Sequence, residues 1–496
     1  MLSSLYIGAS GLKGLAEGMQ VTTNNLANVS TIGFKQQNIL FCDQLSQAQA
    51  GMGEWWNNQQ DSRVAVGQVG MGLQVESIRT IYTQGELQST NSITDLAISG
   101  KGFFQVSDGV DTFYTRAGDF VTDNEGVWRT PAGYALMGMR LDQQGAGGFL
   151  EPVQIDKFST MPARATSQVD VRVNLNPGAD NATGSENPFF SMLQSYNNSQ
   201  SYGGLPSSAY SYAQNMTLYD ANGQGHSVTA YFDGAPSSGS GQHMEFIIAD
   251  EGVGYADESA SGVLMSGVLH FDSAGKLLGV SAFTPGSAGE TDLSSWHPSG
   301  INAQGLPTMS LNGSEIAVNF GATMSGGWQG APASAADVGA SDASLLAMSS
   351  NAAISDSAST AFGSSSPVGQ VSQDGYAEGV LSNISIGKDG VIYGRYSNMQ
   401  DQELWQIPVC RFTSEDGLYR EGGNLFSATA ESGQMEMGVP GTENYGTIEA
   451  YNIEGSNVDV STEMVNMIIN QRGFQSNSKV VTTADMLLQK AMEIKR

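Results

Sequence analysis

Both ends of this chain carry an apolar repeat at helical spacing, and glycine interrupts the first of them. Leu5, Leu12, Met19 and Leu26 recur every seventh residue, with Leu2, Ala9, Ala16 and Thr23 in the companion positions, which is the pattern of a short heptad helix. Near the other end, Met467, Phe474, Val481 and Leu488 fall at the same interval, with a mixed companion set of Met464, Gln471, Ser478, Asp485 and Met492. Ser461 reads as a helix start, and the second helix is expected to run close to Arg496. Two amphipathic helices on a globular core would show the same spacing, but the glycines argue for more. Gly8, Gly11, Gly14 and Gly18 lie inside the first helix. Each costs about 1 kcal/mol relative to alanine, in a helix whose length is already marginal in water. Wound at 100° per residue, Ile7, Gly11, Gly14, Leu15 and Gly18 form a second face beside the heptad face. The expectation is that the two heptad faces pair as an intramolecular coiled coil. The glycine face is then expected to pack against helices of other copies of the chain.

The region between the ends is β-patterned and divides by charge. Residues 81–163 and 371–454 hold runs such as LAISGKGFFQV (96–106), ISIGKDGVIYGRY (384–396) and LWQIPVCRF (404–412). Asp123-Asn-Glu-Gly126 and Lys388-Asp-Gly390 read as hairpin loops. Residues 164–370 hold three basic residues against seventeen acidic ones, and further strands are readable at 169–175, 216–232, 243–249, 267–280 and 315–320. The small-residue tract 329–368 reads as a long surface excursion. The expected fold is mixed and mainly β, with α-helical termini in a nested plan. Residues 1–30 and 455–496 form a helical inner core, and 31–80 a connecting joint. Residues 81–163 and 371–454 form a middle β domain, and 164–370 an inserted outer β domain.

At 496 residues the chain exceeds a single core. Charged residues are only 14% and the net charge is −28, so no basic face is expected to track phosphates or anionic lipid, and neither nucleic acid nor membrane is an expected partner. No run reaches the ~18 apolar residues of a membrane span, and the first residues lack a basic, then apolar, leader pattern. Cys42 and Cys410 are too far apart in sequence to read as a disulfide framework or zinc motif. His226, His243, His270 and His297 are scattered, and no nucleophile elbow, phosphate loop or metalloprotease motif occurs. Asp220-Ala-Asn-Gly223 and Asp272-Ser-Ala-Gly275 offer too few oxygens for calcium and read as hairpin turns. No catalytic residue, metal or cofactor is therefore assigned.

Several segments carry a resemblance. NNLANVSTIGFK (24–35) resembles the N-terminal signature of the flagellar rod and hook protein family. TQGELQSTNSITDLAISGKGFFQV (83–106) and TRAGDFVTDNEGVWRTPAGYALMG (115–138) resemble its middle region. SQDGYAEGVLSNISIGKDGVIYGRYSNMQDQELWQIPVCRF (372–412) is similar to the hook branch, as are segments 167–175 and 218–232 of the insert, and 455–496 resembles the family's C-terminal helix. The stretch Gly51 to Trp56 and the tract 329–368 match nothing in it.

The resemblance implies a non-enzymatic subunit of a curved extracellular tube, built from many copies and exported by the flagellar export apparatus without a cleaved signal peptide. Implied neighbours are the distal rod protein, the hook cap protein and the hook–filament junction protein. A distal rod or other axial protein is the alternative, with an extracellular adhesin further behind. Asn25, Leu26, Ala27, Asn28, Gly33, Phe34 and Lys35 are expected to form the joint between the inner helices and the outer β layers. In it the amides cap the helix end, Gly33 supplies a turn with positive φ, and Phe34 anchors that turn.

Overall fold

The computed structural model describes residues 2–44, 47–48, 68–142, 145–178, 187–196, 205–237, 241–250, 262–287, 292–330, 332–348, 352–363, 369–442 and 444–494. The Gly51–Trp56 stretch lies outside them. The chain forms two compact units, 1–159 with 381–496, and 160–380.

The first unit contains both long helices, α1 (Leu2–Ala27) and, at the other end, a helix of 35 residues, Val460–Ile494. Asp459 starts the latter, its side chain accepting from Thr462 N–H at 2.9 Å, which satisfies one of the donors left open in a first turn. After α1 the chain enters β1 (Gln37–Asp43), which pairs antiparallel with β2 (Leu73–Thr80) from Gln37 opposite Thr80 to Asp43 opposite Leu73, with a bulge between Leu40 and Phe41.

The main sheet of this unit runs, in spatial order, through Val391–Tyr396, Asp401–Gln406, Ala135–Asp142, Phe104–Ser107, Thr112–Thr115, Leu425–Ser427 and Tyr419–Gly422. Both expected hairpins are present: Trp128 pairs with Thr122 across the Asp123–Gly126 turn, and Ile386 with Ile392 across Lys388–Gly390. The run 404–412 is two strands rather than one, Asp401–Gln406 and Val409–Phe412, broken at Pro408, which has no N–H to give a ladder. Leu96, Ile98, Phe104, Phe120, Trp128, Leu136, Ile392, Trp405 and Val409 meet in its buried core. The nesting is visible in the ladders. Leu96–Ser99 pairs with Thr447–Ala450, and Leu87–Ser89 with Asn452–Glu454, so segments far apart in sequence close on each other.

The second unit is a sandwich. One sheet is an antiparallel meander of Tyr212–Tyr219, Gly225–Ala235, Gln242–Asp250, Val263–Phe271, Leu277–Pro285 and Trp296–Pro298. The other orders Gly300–Ile301, Pro307–Leu311, Ser314–Asn319, Gln168–Val173 and Gly369–Gln373, with one parallel pair between Gln168–Val173 and Ser314–Asn319. Their inner faces contribute Val169, Val171, Leu218, Phe232, Phe246, Phe271, Ile316 and Phe320 to one core. The meander's other face, Trp296 included, packs on Phe189, Phe190 and the short helix α2 (Ser191–Ser195). The long C-terminal helix is therefore α3.

The tract 329–368 departs from its expectation. Ala335, Val338, Leu345 and Leu346 are buried in the core around Trp296. A few apolar side chains on and just after two short 3₁₀ turns, Ala335–Val338 and Asp342–Ser344, suffice to bring it down onto the sheet despite its Gly/Ala/Ser composition. Asp220 and Asp272 act as turn residues, each accepting two backbone N–H groups at 2.8–2.9 Å within its own loop.

Candidate assembly site: the helix pair and its joint

Helices α1 and α3 lie antiparallel, and the face of α1 that meets α3 differs from the expected one. The buried residues of α1 are Gly8, Gly11, Gly14, Gly18, Val21, Thr22 and Asn25, whereas Leu5, Leu12, Met19 and Leu26 are half-buried beside them and Ala9 and Ala16 are exposed. A Cβ on Gly8 would come within 2.8 Å of Val481, and one on Gly11 within 3.0 Å of the Asn477 side chain. Gly18 sits 3.3 Å, by the same measure, from the Asn470 amide, and Gly473 of α3 faces Leu15. Gly14 instead meets Leu73 of β2 and Phe41 of β1, with Phe41 also against Gly18. The glycine face is thus occupied within the chain, by α3 on one side and the β1–β2 pair on the other. The physical reason is that absent Cβ atoms let two backbones approach, and α3 answers with Asn470, Gly473 and Asn477 on its facing strip.

On α3 the facing strip is Glu463, Met467, Asn470, Gly473, Asn477, Val481, Ala484 and Leu488, all buried or half-buried. Of the expected heptad residues, Met467, Val481 and Leu488 lie on it, while Phe474 is 36% exposed. The opposite side of α3 carries two apolar patches in solvent: Met464, Val465, Ile468 and Ile469 near its start, and Met486 and Leu487 near its end, between 48% and 60% exposed. The open apolar face is therefore on α3.

The joint after α1 is built around buried polar groups. Asn25, 1% exposed, donates Nδ2–H to Gln37 O at 2.7 Å and accepts Gln37 N–H at 2.9 Å, tying the last turn of α1 to the start of β1. Asn28 donates to Asn24 O at 2.9 Å. Leu26 is half-buried and Ala27 exposed. Gly33 adopts φ +68° and its N–H donates to Glu454 O at 2.7 Å. A Cβ there would meet the Ala117 backbone at 2.5 Å, so both conformation and space require glycine. Phe34 is buried with the Arg420 guanidinium 5.1 Å from its ring centroid.

Lys35 follows and is wholly out of solvent. Its Nζ donates to Glu454 Oε1 at 2.6 Å and to Thr83 O at 2.8 Å. The other oxygen, Glu454 Oε2, accepts from Arg116 at 3.1 Å, and Gly85 N–H donates to Oε1 at 2.8 Å. Arg116 also donates to Gly100 O at 2.7 Å. Burial pushes the Lys35 ammonium down from its ordinary value, with Glu454 acting against it. Arg116 is lowered by the same cause and supported by Glu454 and Glu415. One carboxylate thus holds two cations, from three segments that are remote in sequence. A neighbouring set continues the seam: Gln36 N–H donates to Asn457 at 2.7 Å, Asn457 Nδ2–H donates to Ile81 O at 2.8 Å, and Gln36 Nε2–H donates to Glu463 of α3 at 2.6 Å.

Sequence reasoning singled out Lys35 but not Arg116, Glu454, Asn457 or Glu463. The available signal was the rarity of charge: Arg116 is the one base in TRAGDF, beside Asp119, and Glu454 is the one charged residue in YNIEGSN. Burial pushes the Cys410 thiol up to about 12, so it is a packed, unreactive group. Among the described residues, no group of three or more His, Cys, Asp or Glu is arranged to hold a metal ion, and no helix is long and apolar enough to cross a membrane.

Four family profiles match in chain order. They are the flagella basal body rod protein (5–35), the flagellar hook protein FlgE/F/G D1 domain (97–174), the flagellar basal body protein FlaE D2 domain (194–376) and the flagellar basal body rod FlgEFG protein C-terminal region (450–494). The first and last cover α1 with its joint and α3 with Glu454. Flagellar hook protein FlgE of Treponema pallidum is 28% identical, with 100% of each chain covered, and that of Escherichia coli K12 is 28% identical over 97% of this chain and 96% of its own. Flagellar hook protein FlgE of Borreliella burgdorferi is 31% identical, with both chains covered end to end. This chain belongs to the flagellar hook protein FlgE family and is a structural subunit of the flagellar hook.

Proposed function

We propose that copies of this chain polymerise into a curved, flexible tube that serves as a universal joint between rod and filament. In this proposal α1 and α3 form the inner layer, 81–159 with 381–454 the middle layer, and 160–380 the outer layer. The observation that carries it is the two-sided α3. One side is spent on the glycine face of α1, and the other leaves Met464, Val465, Ile468, Ile469, Met486 and Leu487 in solvent. Clustered large apolar side chains on a monomer's surface mark an interaction site, and a chain that assembles on itself supplies the cover.

The middle layer, held by the buried Lys35–Glu454–Arg116 set, transmits load from the helices to the β domains. Bending requires outer contacts that slide, which small, wet interfaces permit; the acidic, lysine-poor surface of 160–380 suits that role. The distal rod, cap and junction proteins are the proposed neighbours at the tube's ends. The proposed location is outside the cell, reached through the flagellar export apparatus without a cleaved signal, and the proposed role involves no catalysis.

The test is Met464→Ser with Ile468→Ser. The monomer's unfolding free energy should change by less than ~0.5 kcal/mol, because both side chains are half in water already. Tubes should vanish from electron micrographs under conditions where the parent forms them. Unimpaired tubes from the variant would sink the assignment of this face.

A further inference from the structure

We propose that a groove on the first unit, beside but distinct from the helices, receives a carboxylate-bearing stretch of a second copy of this chain. The inference rests on the polymerising role proposed above and names a contact surface for it. The groove has a volume of about 700 Å³, within the range of ligand-holding clefts. Tyr82 and Phe412 line it as aromatic surfaces, and three cations converge on it: Lys101, Arg116 and Arg411. The chain has only 21 basic residues against 49 acidic ones, so three in one cleft is a local reversal of the molecule's charge.

Those cations are under-supplied with acceptors. Arg116 is 3% exposed, and Glu454 already shares its charge with the buried Lys35. Its Nε has no hydrogen-bond partner among the described residues, and neither does the buried Nε of Arg411. The Arg411 guanidinium lies 5.7 Å from the Tyr445 ring centroid and makes no ion pair among the described residues. Lys101 is exposed, also without an ion pair there. The carboxylates that face this set are Glu415 and Asp416 in the groove wall and Glu454 behind it. Counting Lys35, four cations meet three anions. Buried or half-buried cations in excess call for an anion, and a planar guanidinium favours a carboxylate. A second copy is the natural source, because its own surface carries the surplus of carboxylates.

The experiment uses the full chain. Lys101→Glu and, separately, Arg411→Met should leave the circular dichroism spectrum and the melting profile of the monomer unchanged while raising the critical concentration for polymerisation about tenfold. In parallel, polymers made from equal amounts of ¹⁴N- and ¹⁵N-labelled chain are coupled with a zero-length carbodiimide and digested. Mixed-isotope peptides joining Lys101 to an Asp or Glu of the other copy are the expected result, and their sequence identifies the occupant. If the parent polymerises and the variants match it, or if Lys101 couples only within its own copy, for instance to Glu415 or Asp416, the inference is overturned. Absence of polymer from the parent itself would instead overturn the assembly role on which the inference stands.

Discussion

The two units bury ionisable groups by opposite means. In the first unit, Glu454 is fully out of solvent between the ammonium of Lys35 and the guanidinium of Arg116. In the second, Glu245 is equally buried but has no cation partner among the described residues. It accepts the N–H of Met192 at the start of α2 at 3.0 Å, and it lies opposite Asp233 in the sheet register. Burial, the largest cause, and the neighbouring Asp233 push its carboxyl well above the usual range, which favours the protonated form. The first arrangement uses charge to pin together segments hundreds of residues apart, where the joint leaves α1 and the chain approaches α3. The second is a polar insert in an apolar sandwich, local to one strand and one helical turn. An ionic knot of this kind resists displacement of its anion most, because moving Glu454 leaves two buried cations unpaired. A neutral acid on backbone N–H groups imposes no such penalty.

Removing the anion should break the comparison most sharply. Glu454→Ala leaves Lys35 and Arg116 buried together with no counter-charge, and the loss expected for breaking a buried ionic pair is about 3–5 kcal/mol. Urea unfolding followed by the fluorescence of Trp128 and Trp405, both in the first unit's core, is the measurement. The second unit should unfold at an unchanged midpoint. If the first unit's midpoint does not move, Glu454 is not what fixes the joint.

Removing one of the two cations should do less. Lys35→Met takes away the bonds to Glu454 and to Thr83 O, but it leaves Arg116 paired with Glu454 and relieves the repulsion between the cations. The expected loss is about 1–2 kcal/mol, the range for a net hydrogen bond or two to charged groups. A loss as large as that of Glu454→Ala would mean that Lys35, and not Arg116, is the essential partner.

The same contrast explains what the sequence disclosed. Strands and hairpins were legible because Asp123–Gly126, Asp220–Gly223 and Asp272–Gly275 announce turns by a mechanism local to four residues: the Asp side chain caps its own loop. The helices were legible from spacing, but their faces were not. A helical wheel gives angles and leaves open which neighbour lies at which angle. Leucine looked like the contact residue, yet the closest approach came where side chains are missing, at Gly8, Gly11 and Gly18. The partners of Lys35 were hidden for a different reason. Arg116 and Glu454 are brought to it by ladders such as Leu87–Ser89 with Asn452–Glu454, which no local pattern encodes. The tract 329–368 was misjudged because composition is an average, whereas Val338, Leu345 and Leu346 act singly.

The smallest effect is expected where no cation is involved, and it depends on pH. Glu245 has its folded-state pKa raised above the ordinary 4.5. Below that value both folded and unfolded chains hold the proton, and the acid's contribution is fully present. As pH rises past it, the unfolded chain releases the proton while the folded one retains it, so stability is lost progressively until the folded-state pKa is passed. Glu245→Gln keeps the shape and an acceptor for the N–H groups of α2 but cannot ionise. The variant should match the parent near pH 4, within the effect of one altered hydrogen bond, and exceed it increasingly toward neutral pH. Thermal melts of the second unit at pH 4, 5.5 and 7 measure this. A constant offset between variant and parent across that series would mean that Glu245 does not change protonation on unfolding, and that the second unit also stores an ionised carboxylate, as the first does.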